Sequence, residues 1–209
     1  MNKPIRAFFS ALTLVLAGAA LLQLSAREAA AQTQRVKGTI EKVDGNVLTV
    51  KTAQGAQERI ALADNANIVA VVRASMAEIK EGTFLGSAAL PQADGTQKAV
   101  EVHIFPEQMR GTGEGHRPYD PVPGGTMTNG AASGATVTGV DGGTMTVKYK
   151  GGEKKIVVPP GTPITRYEIG GKADLKPGAR FTVIAATKKS DGTLETNRIN
   201  VGRDGVVPQ

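Results

Sequence analysis

Apolar and polar residues alternate with a period of two along most of the chain, which is the pattern of β-strands with one buried face. Val36, Gly38 and Ile40 alternate with polar residues, a turn follows at residues 44–46, and residues 47–52 run back as a second strand. Two such segments around an Asp-Gly-Asn turn predict a β-hairpin. Further strands are predicted at residues 58–62, 68–72, 83–90 and 98–105.

The same order of strands and turns occurs twice in the chain. Residues 43–51 read VDGNVLTVK and residues 140–148 read VDGGTMTVK, and a DGT turn occurs at residues 94–96 and again at residues 191–193. Matched turns at a nearly constant offset indicate a duplicated folding unit. In the second copy, strands are predicted at residues 135–140, 144–149, 154–158, 164–167, 180–186 and 195–201.

One short helix is predicted in each copy. In the first, Ser75 and Glu78 have the spacing of a capping box, and Gly82 ends the helix. In the second, Pro177 and Gly178 place a stop at the corresponding point. Five or six short strands in about 70 residues close most readily into a barrel, which leaves no exposed sheet edge. We therefore predict an all-β fold of two tandem small OB-like β-barrels, each with one short helix.

The N-terminal residues have the composition of a secretory signal peptide. Lys3 and Arg6 precede a run of small and apolar residues at 7–24, and Ala29 and Ala31 form a small-residue cleavage site before Gln32. The alternative is an uncleaved membrane anchor, because the run approaches the roughly 20 residues that a bilayer span needs. The predicted organisation is a signal peptide (1–31), a first β-barrel repeat (32–106), a Gly/Pro-rich linker (107–133) and a second β-barrel repeat (134–209).

Charge and cysteine content narrow the class further. Removal of residues 1–31 would take away three basic residues and one acidic residue, which lowers the formal net charge from +6 to +4. The remaining charges are interspersed, so the surface attracts phosphates or anionic lipids weakly at most. The chain contains no cysteine, so burial and sheet pairing must hold the exported fold without disulfides.

The repeated motifs resemble a known family. The VDG hairpin followed by LTVK, the turns ASMAEIKEG and KADLKPG, and the closing DGT hairpin are similar to secreted bacterial domains of unknown function with OB-like barrels. Residues 103–107 and 109–120 resemble a group of exported alphaproteobacterial proteins that often carry the label "metal ABC transporter permease". A permease needs several apolar spans, and residues 32–209 contain none. The resemblance implies fold and export, and leaves open a soluble component linked to transport.

The segment between the copies, residues 107–134, is rich in glycine, proline, threonine and asparagine, and reads as a linker or long loop. Its first half also carries side chains suited to binding. One interpretation is that these side chains pin the segment across the two barrels. The other is a ligand site in which two arginines hold a carboxylate, phosphate or acidic sugar. The candidate ligand-binding residues are Arg110, His116, Arg117, Tyr119 and Asp120.

Metal binding is the alternative that the family label suggests. His103, Met109 and His116 are the candidate ligands, because copper accepts imidazole and thioether donors. Glu107, Glu114 and Asp120 could add oxygen donors. None of the spacings is diagnostic of a metal site, and His103 lies on a predicted strand, where it could be a partly buried side chain without a ligand role.

Other functions have weaker support. Residues 111–115 read GTGEG, but two prolines follow within residues 116–121, so no helix can receive a dinucleotide pyrophosphate. With two histidines and no cysteine there is no evident activated nucleophile, although a hydrolase acting on envelope material stays a distant alternative. Aromatic residues make up 4% of the chain, too few for an obvious nucleic-acid stacking surface.

We therefore predict a periplasmic or secreted protein that binds a ligand or serves the cell envelope, without catalytic activity and without a cofactor. Its expected partner is an envelope protein or a small anionic ligand, with no nucleic acid and no membrane span after signal cleavage. The alternative function is a periplasmic, copper-type metal-binding accessory protein linked to transport.

Overall fold

The computed structural model of the protein describes residues 33–138 and 142–208. The predicted signal peptide, residues 1–31, lies outside the described residues. The described fold is all-β. Its strands are β1 (Thr33–Asp44), β2 (Val47–Thr52), β3 (Gln57–Arg73), β4 (Phe84–Pro91), β5 (Gln97–Ile104), β6 (Gly115–Pro118), β7 (Thr126–Thr138), β8 (Gly142–Tyr149), β9 (Gly152–Val158), β10 (Ile164–Ile169), β11 (Arg180–Lys188) and β12 (Leu194–Gly202).

The local predictions agree closely with these strands. β1 and β2 form the predicted hairpin, in which Asp44 pairs with Val47 and Gly45 has a φ of 59°. Glycine adopts this left-handed conformation without steric cost. The strands predicted at residues 58–62 and 68–72 are a single strand, β3, because the backbone stays extended between them.

The predicted short helices are single 3-10 turns, Met76–Glu78 and Lys172–Asp174. Oε1 of Glu78 accepts a hydrogen bond from the backbone N–H of Ser75 at 3.0 Å, as the capping pattern predicts. In the second repeat, Oδ2 of Asp174 accepts one from the N–H of Gly171 at 2.9 Å. Each predicted repeat therefore has a 3-10 turn whose first backbone N–H is capped by an acidic side chain three residues later.

Five strands close a barrel, which we call the first barrel. β1 pairs with β2 and β11, β2 pairs with β3, β3 with β12, and β12 with β11. The β3–β12 pairing is parallel and the other four are antiparallel. The core of this barrel consists of Val36, Ile40, Leu48, Val50, Ile60, Leu62, Leu175, Ala179, Phe181, Val183, Ala186, Leu194, Ile199 and Val201.

Five further strands follow a second closed path of pairing, which we call the second ring. β4 pairs with β5 and β7, β7 with β8, β8 with β9, and β9 with β5. β10 joins the two sets, because it pairs with β3 on one side and β5 on the other. Met76, Ile79, Leu85, Ala99, Val102, Ile104, Ala132, Met145, Val147, Ile156, Val158 and Ile164 form the second core.

The last two strands of each predicted repeat pair with the first strands of the other: β11 and β12 pair with β1 and β3, and β4 and β5 pair with β7 and β9. Ile60 lies beside Leu194 in the β3–β12 pair, and Ile156 lies beside Gln97 in the β9–β5 pair. Ile156 follows Ile60 by 96 positions, and Leu194 follows Gln97 by 97. These offsets equal the spacing between the two copies of the sequence pattern, so the two pairings occur at corresponding positions. Two tandem barrels, one for each repeat, are therefore not confirmed. The reason is physical: both predicted repeats carry similar strand patterns, so the pattern alone does not determine which closing hairpin completes which ring.

The predicted linker contains regular structure. It begins with a 3-10 turn, Glu107–Met109, continues through β6, and includes the first half of β7, which pairs with β4. Asn129 Nδ2 donates to the carbonyl of Thr112 at 3.0 Å, and Oε1 of Glu114 accepts from the N–H of Lys150 at 2.8 Å. These contacts hold the segment against the sheet. Within the described ranges, no helix is long and apolar enough to span a membrane.

Candidate functional site

An apolar layer, here called the central layer, lies where the first barrel and the second ring adjoin. Phe105 contacts Phe84, with ring centroids 5.6 Å apart, and Tyr167, with centroids 5.2 Å apart. Met109, from the segment between the repeats, packs against the layer. The layer therefore joins side chains from both repeats and from the segment between them. Its buried members are Val69, Val71, Phe84, Phe105, Tyr167 and Val206.

His103 lies beside the central layer and is 6% exposed. Its imidazole is nearly parallel to the Tyr167 ring, at a centroid distance of 5.2 Å and an angle of 14°. Nδ1 lies 2.9 Å from Oε1 of Glu101, which is an ion-pair distance. The ring N–H is not aligned with the carboxylate, so Nδ1 has no hydrogen-bond partner among the described residues. A buried polar atom in this condition has hydrogen-bonding capacity to spare.

Charged groups surround the hydroxyl end of Tyr167. Burial raises the pKa of this phenol well above its usual value, and the Glu101 carboxylate raises it further. Arg198 and Arg35 act in the opposite direction. The Arg35 guanidinium lies 5.9 Å from the centroid of the Tyr119 ring, and its Nη1 has no hydrogen-bond partner in the described structure.

The balance of charge in this region is positive. Burial, and then the neighbouring Arg35, lower the pKa of Lys37, while Glu101 partly offsets them. The cations that act on the pKa values of Lys37 and Tyr167 are Arg35 and Arg198, and the carboxylate that acts with them is that of Glu101. Side chains arranged in this way favour the approach of an anion.

A groove opens beside Arg198, and we call it the Arg198 groove. Its volume is about 360 Å³, within the range of small-molecule sites. Nε of Arg198 donates a hydrogen bond to Oδ1 of Asn200 at 3.4 Å. Asn200 is buried, with 1% of its surface exposed, and its Nδ2 has no hydrogen-bond partner among the described residues. The groove is lined by Asn67, Ile68, Val69, Gln108, Met109, Thr112, Glu168, Ile169 and Arg198.

The acidic residue of the groove, Glu168, is neutralised by a chain of ion pairs. It accepts Arg166 at 2.9 Å and Arg203 at 2.5 Å. Arg166 also forms an ion pair with Glu78, and Arg203 forms one with Asp174 at 2.7 Å. The chain thus links the capping carboxylates of the two 3-10 turns. Arg198, by contrast, makes no ion pair to a carboxylate in the described part of the chain.

The two arginines predicted to hold an anion are engaged separately. Arg110 donates through Nε and Nη2 to the Glu107 carboxylate, at 2.5 and 2.8 Å, and lowers the pKa of that carboxyl. It also donates to the carbonyl of Gly82 at 3.1 Å. Nη1 of Arg117 donates to the carbonyl of Gly113 at 2.7 Å. The two guanidinium groups share no partner, so these contacts support the structural interpretation of the segment.

The other three predicted ligand-binding residues are also apart. Nδ1 of His116 is 2.8 Å from Oγ1 of Thr128, and burial, with Lys154 nearby, lowers its pKa below the usual value. Tyr119 lies beneath Arg35, whereas Asp120 is exposed. Of the five predicted residues, Tyr119 is the one that the structure places near the positive region.

The two histidines among the predicted metal ligands lie on opposite faces of the sheet. Pairing aligns His103, Gly86, Asn129 and Gly115 across β5, β4, β7 and β6, so the next residue, His116, projects from the opposite face of the sheet. Met109 packs against the central layer. No group of three or more histidine or acidic residues suited to a metal ion occurs in the described ranges.

Sequence reasoning missed Glu101 and Arg198, which lie 97 positions apart at corresponding points of the two repeats. The available signal was a charged residue on the last predicted strand of each copy. Glu101 interrupts the mostly apolar residues 99–105, whereas Arg198 lies among the mixed polar and apolar residues 196–202 and gives a weaker signal. Comparisons of the chain with models of protein families, with curated proteins and with solved structures gave no match.

Proposed function

We propose that the protein is a non-catalytic binding protein that holds a small anionic ligand in the Arg198 groove. One observation carries this proposal. Arg198 lines the groove without a carboxylate partner in the described structure, whereas Glu168 in the same groove is already neutralised by two arginines. A bound carboxylate would complete the ion pairing of Arg198 in a partly enclosed site, where charged hydrogen bonds are stronger than in water.

The other lining residues limit the chemistry of the ligand. Asn67 and Gln108 offer amide groups, and Ile68, Met109 and Ile169 offer apolar contact. This combination suits a molecule with one acidic group and an apolar body. The volume of about 360 Å³ limits it to a small molecule.

We further propose that both closed sets of strands are OB-like barrels, each built from both repeats. In each set, the first three strands of one repeat meet the last two of the other, and the third and fifth positions pair in parallel. A short 3-10 turn precedes the last two strands of each repeat. This order supports the resemblance to exported OB-like domains.

Export to the periplasm is part of the proposal and rests on residues 1–31. N-terminal sequencing of the exported protein tests it, and we expect a mature chain that begins within a residue or two of Gln32. Recovery of the protein in the membrane fraction with Met1 or Asn2 retained would favour the membrane anchor.

The absence of catalysis is also proposed. His116 and Thr128 form a histidine–hydroxyl pair at 2.8 Å, the kind of contact that activates a nucleophile. Thr128 is 0% exposed, however, so a substrate could not reach its hydroxyl in this conformation. The pair therefore supports a structural role for His116.

Ligand binding is tested with phenylacetate and its uncharged analogue phenylacetamide. A ligand bound by the native state raises the melting temperature by mass action. We expect a saturable rise with phenylacetate, none with phenylacetamide, and loss of the rise in Arg198→Gln. Arg110→Gln is the matched control, since Arg110 already pairs with Glu107, and it should bind normally.

A rise that survives Arg198→Gln, or an equal rise with phenylacetamide, would contradict the proposal. Elemental analysis of the same protein tests the copper-type alternative, for which a stoichiometric metal would be found. Affinity capture from periplasmic extract tests the other predicted partner, an envelope protein.

A further inference from the structure

A second cavity lies at the other end of the β3–β10 pair. Its volume is about 510 Å³. It is enclosed by the end of β3, the turn before β10 and the last part of the described chain, and none of its lining residues is acidic. The lining residues are Arg73, Ala74, Ser75, Gly161, Thr162, Pro163, Ile164, Thr165, Gly205, Val206 and Val207.

The internal repeat relates this cavity to the Arg198 groove. Ile68 lines the groove, and Ile164, 96 positions later, lines the cavity. Met109 lines the groove, and Val206, 97 positions later, lines the cavity. The duplication has therefore produced two recesses at corresponding places, with different polar side chains in each.

Two polar side chains face each other in the cavity. Arg73 on β3 is directly opposite Thr165 on β10, so both side chains lie on one face of the sheet. Arg73 is exposed and makes no ion pair in the described part of the chain. Thr165 is 8% exposed, and its Oγ1 has no hydrogen-bond partner among the described residues.

These groups match one ligand chemistry. A guanidinium presents several N–H donors in a fork that fits the oxygens of a phosphate, and hydroxyls of Thr165 and Ser75 can donate to the remaining oxygens. The lack of a lining carboxylate removes the main source of repulsion. Pro163, Val206 and Val207 add an apolar wall beside the donors.

We propose that this cavity is a second binding site, which takes a tetrahedral oxyanion of the phosphate class through Arg73 and Thr165. The oxyanion is either free phosphate or the phosphoryl group of an ester, and the apolar wall favours the ester. The site is independent of the Arg198 groove, because the two recesses share no lining residue.

The test uses the mature full-length chain and two probes, inorganic phosphate and phenyl phosphate. Binding of each probe is measured as broadening of its ³¹P NMR line. We expect saturable broadening at one probe per chain, with phenyl phosphate binding more tightly if the natural ligand is an ester. Arg73→Gln and Thr165→Val should each weaken binding by about tenfold. Thr165→Val nearly conserves side-chain volume, and Arg73 is exposed, so melting curves should show both variants folded.

Arg198→Gln is the matched control, and it should leave phosphate binding unchanged while it abolishes phenylacetate binding. The failure of one site is thereby distinguished from the failure of the other. Absence of saturable broadening with both probes would overturn the proposal. So would broadening that is unchanged in the folded Arg73→Gln variant.

Discussion

The imidazole of His103 lies flat against the phenol ring of Tyr167, with centroids 5.2 Å apart and an angle of 14° between the planes. His103 is on the closing strand of the first repeat, and Tyr167 is on β10 of the second. Their contact is buried beside the central layer. It is therefore a direct packing link between the two repeats, distinct from backbone pairing.

This contact should be measurable as an energetic coupling. Replacement of either His103 or Tyr167 by alanine should lower the free energy of unfolding by about 2–4 kcal/mol, because each leaves a buried space. The double variant should differ from the sum of the single losses by about 1 kcal/mol, the usual value for stacked rings. Urea unfolding gives these values. His103→Ala combined with Tyr149→Ala is the control and should be additive; additivity in both cycles would show that the stack contributes nothing.

Gly86 should not accept a side chain. A Cβ there would lie 2.6 Å from Oδ1 of Asn129 and 3.0 Å from Cδ2 of His103. Gly86→Ala should therefore destabilise the fold by about 1–3 kcal/mol through overpacking. Gly171→Ala is the control, since its φ is −148° and nothing lies within 4 Å, and it should change stability by about 0.5 kcal/mol or less. Equal unfolding midpoints for the two variants would contradict this packing.

The strand exchange predicts the behaviour of the separated halves. A first fragment of residues 33–111 contains three strands of the first barrel and two of the second ring, and a second fragment of residues 112–208 contains the rest. We expect neither fragment alone to give a stable monomer with the native unfolding midpoint, because each ring needs strands from both. Mixed fragments should form a 1:1 complex with native-like circular dichroism. Two stable monomeric fragments that form no complex when mixed would show that each repeat closes its own barrel.

Stability should fall at acid pH through Asp174. Its hydrogen bonds with Arg203 are the main cause that lowers its pKa below the unfolded value of 3.8. The stabilisation is therefore fully present above the unfolded pKa and is lost as the pH falls through the folded pKa. Asp174→Asn should cost about 1 kcal/mol at pH 7 and flatten the pH dependence of the unfolding free energy below about pH 4.

Asp120→Asn is the control for this pH dependence, because Asp120 is exposed and has no hydrogen bond in the described structure. Its unfolding curve should keep the acid limb of the unmodified protein. An Asp174→Asn curve with the same acid limb would assign the pH dependence to other carboxylates.

The sequence by itself determined the local structure. Alternating polarity predicted most of the strands, and the Asp-Gly turns predicted the hairpins, because strand faces and left-handed turn residues depend on near neighbours. The capping role of Glu78 was predicted from a spacing of three residues, for the same reason. β6 was missed because its four residues, rich in polar side chains and ending in proline, have no apolar alternation.

Only the tertiary structure decided how these strands combine. The closing hairpins of both repeats have the same pattern, so local preferences cannot select which ring each one completes. That choice depends on burial and strand pairing between residues far apart in the chain. The same pairing brings His103 into contact with Tyr167 and places Arg198 in its groove without a carboxylate partner in the described structure. The ion pair of Arg110 with Glu107, by contrast, joins residues three positions apart and needs no such pairing. The Arg198 groove is lined by four separate segments between Asn67 and Arg198, so it depends on that pairing, since spacing along the chain does not report distance in space.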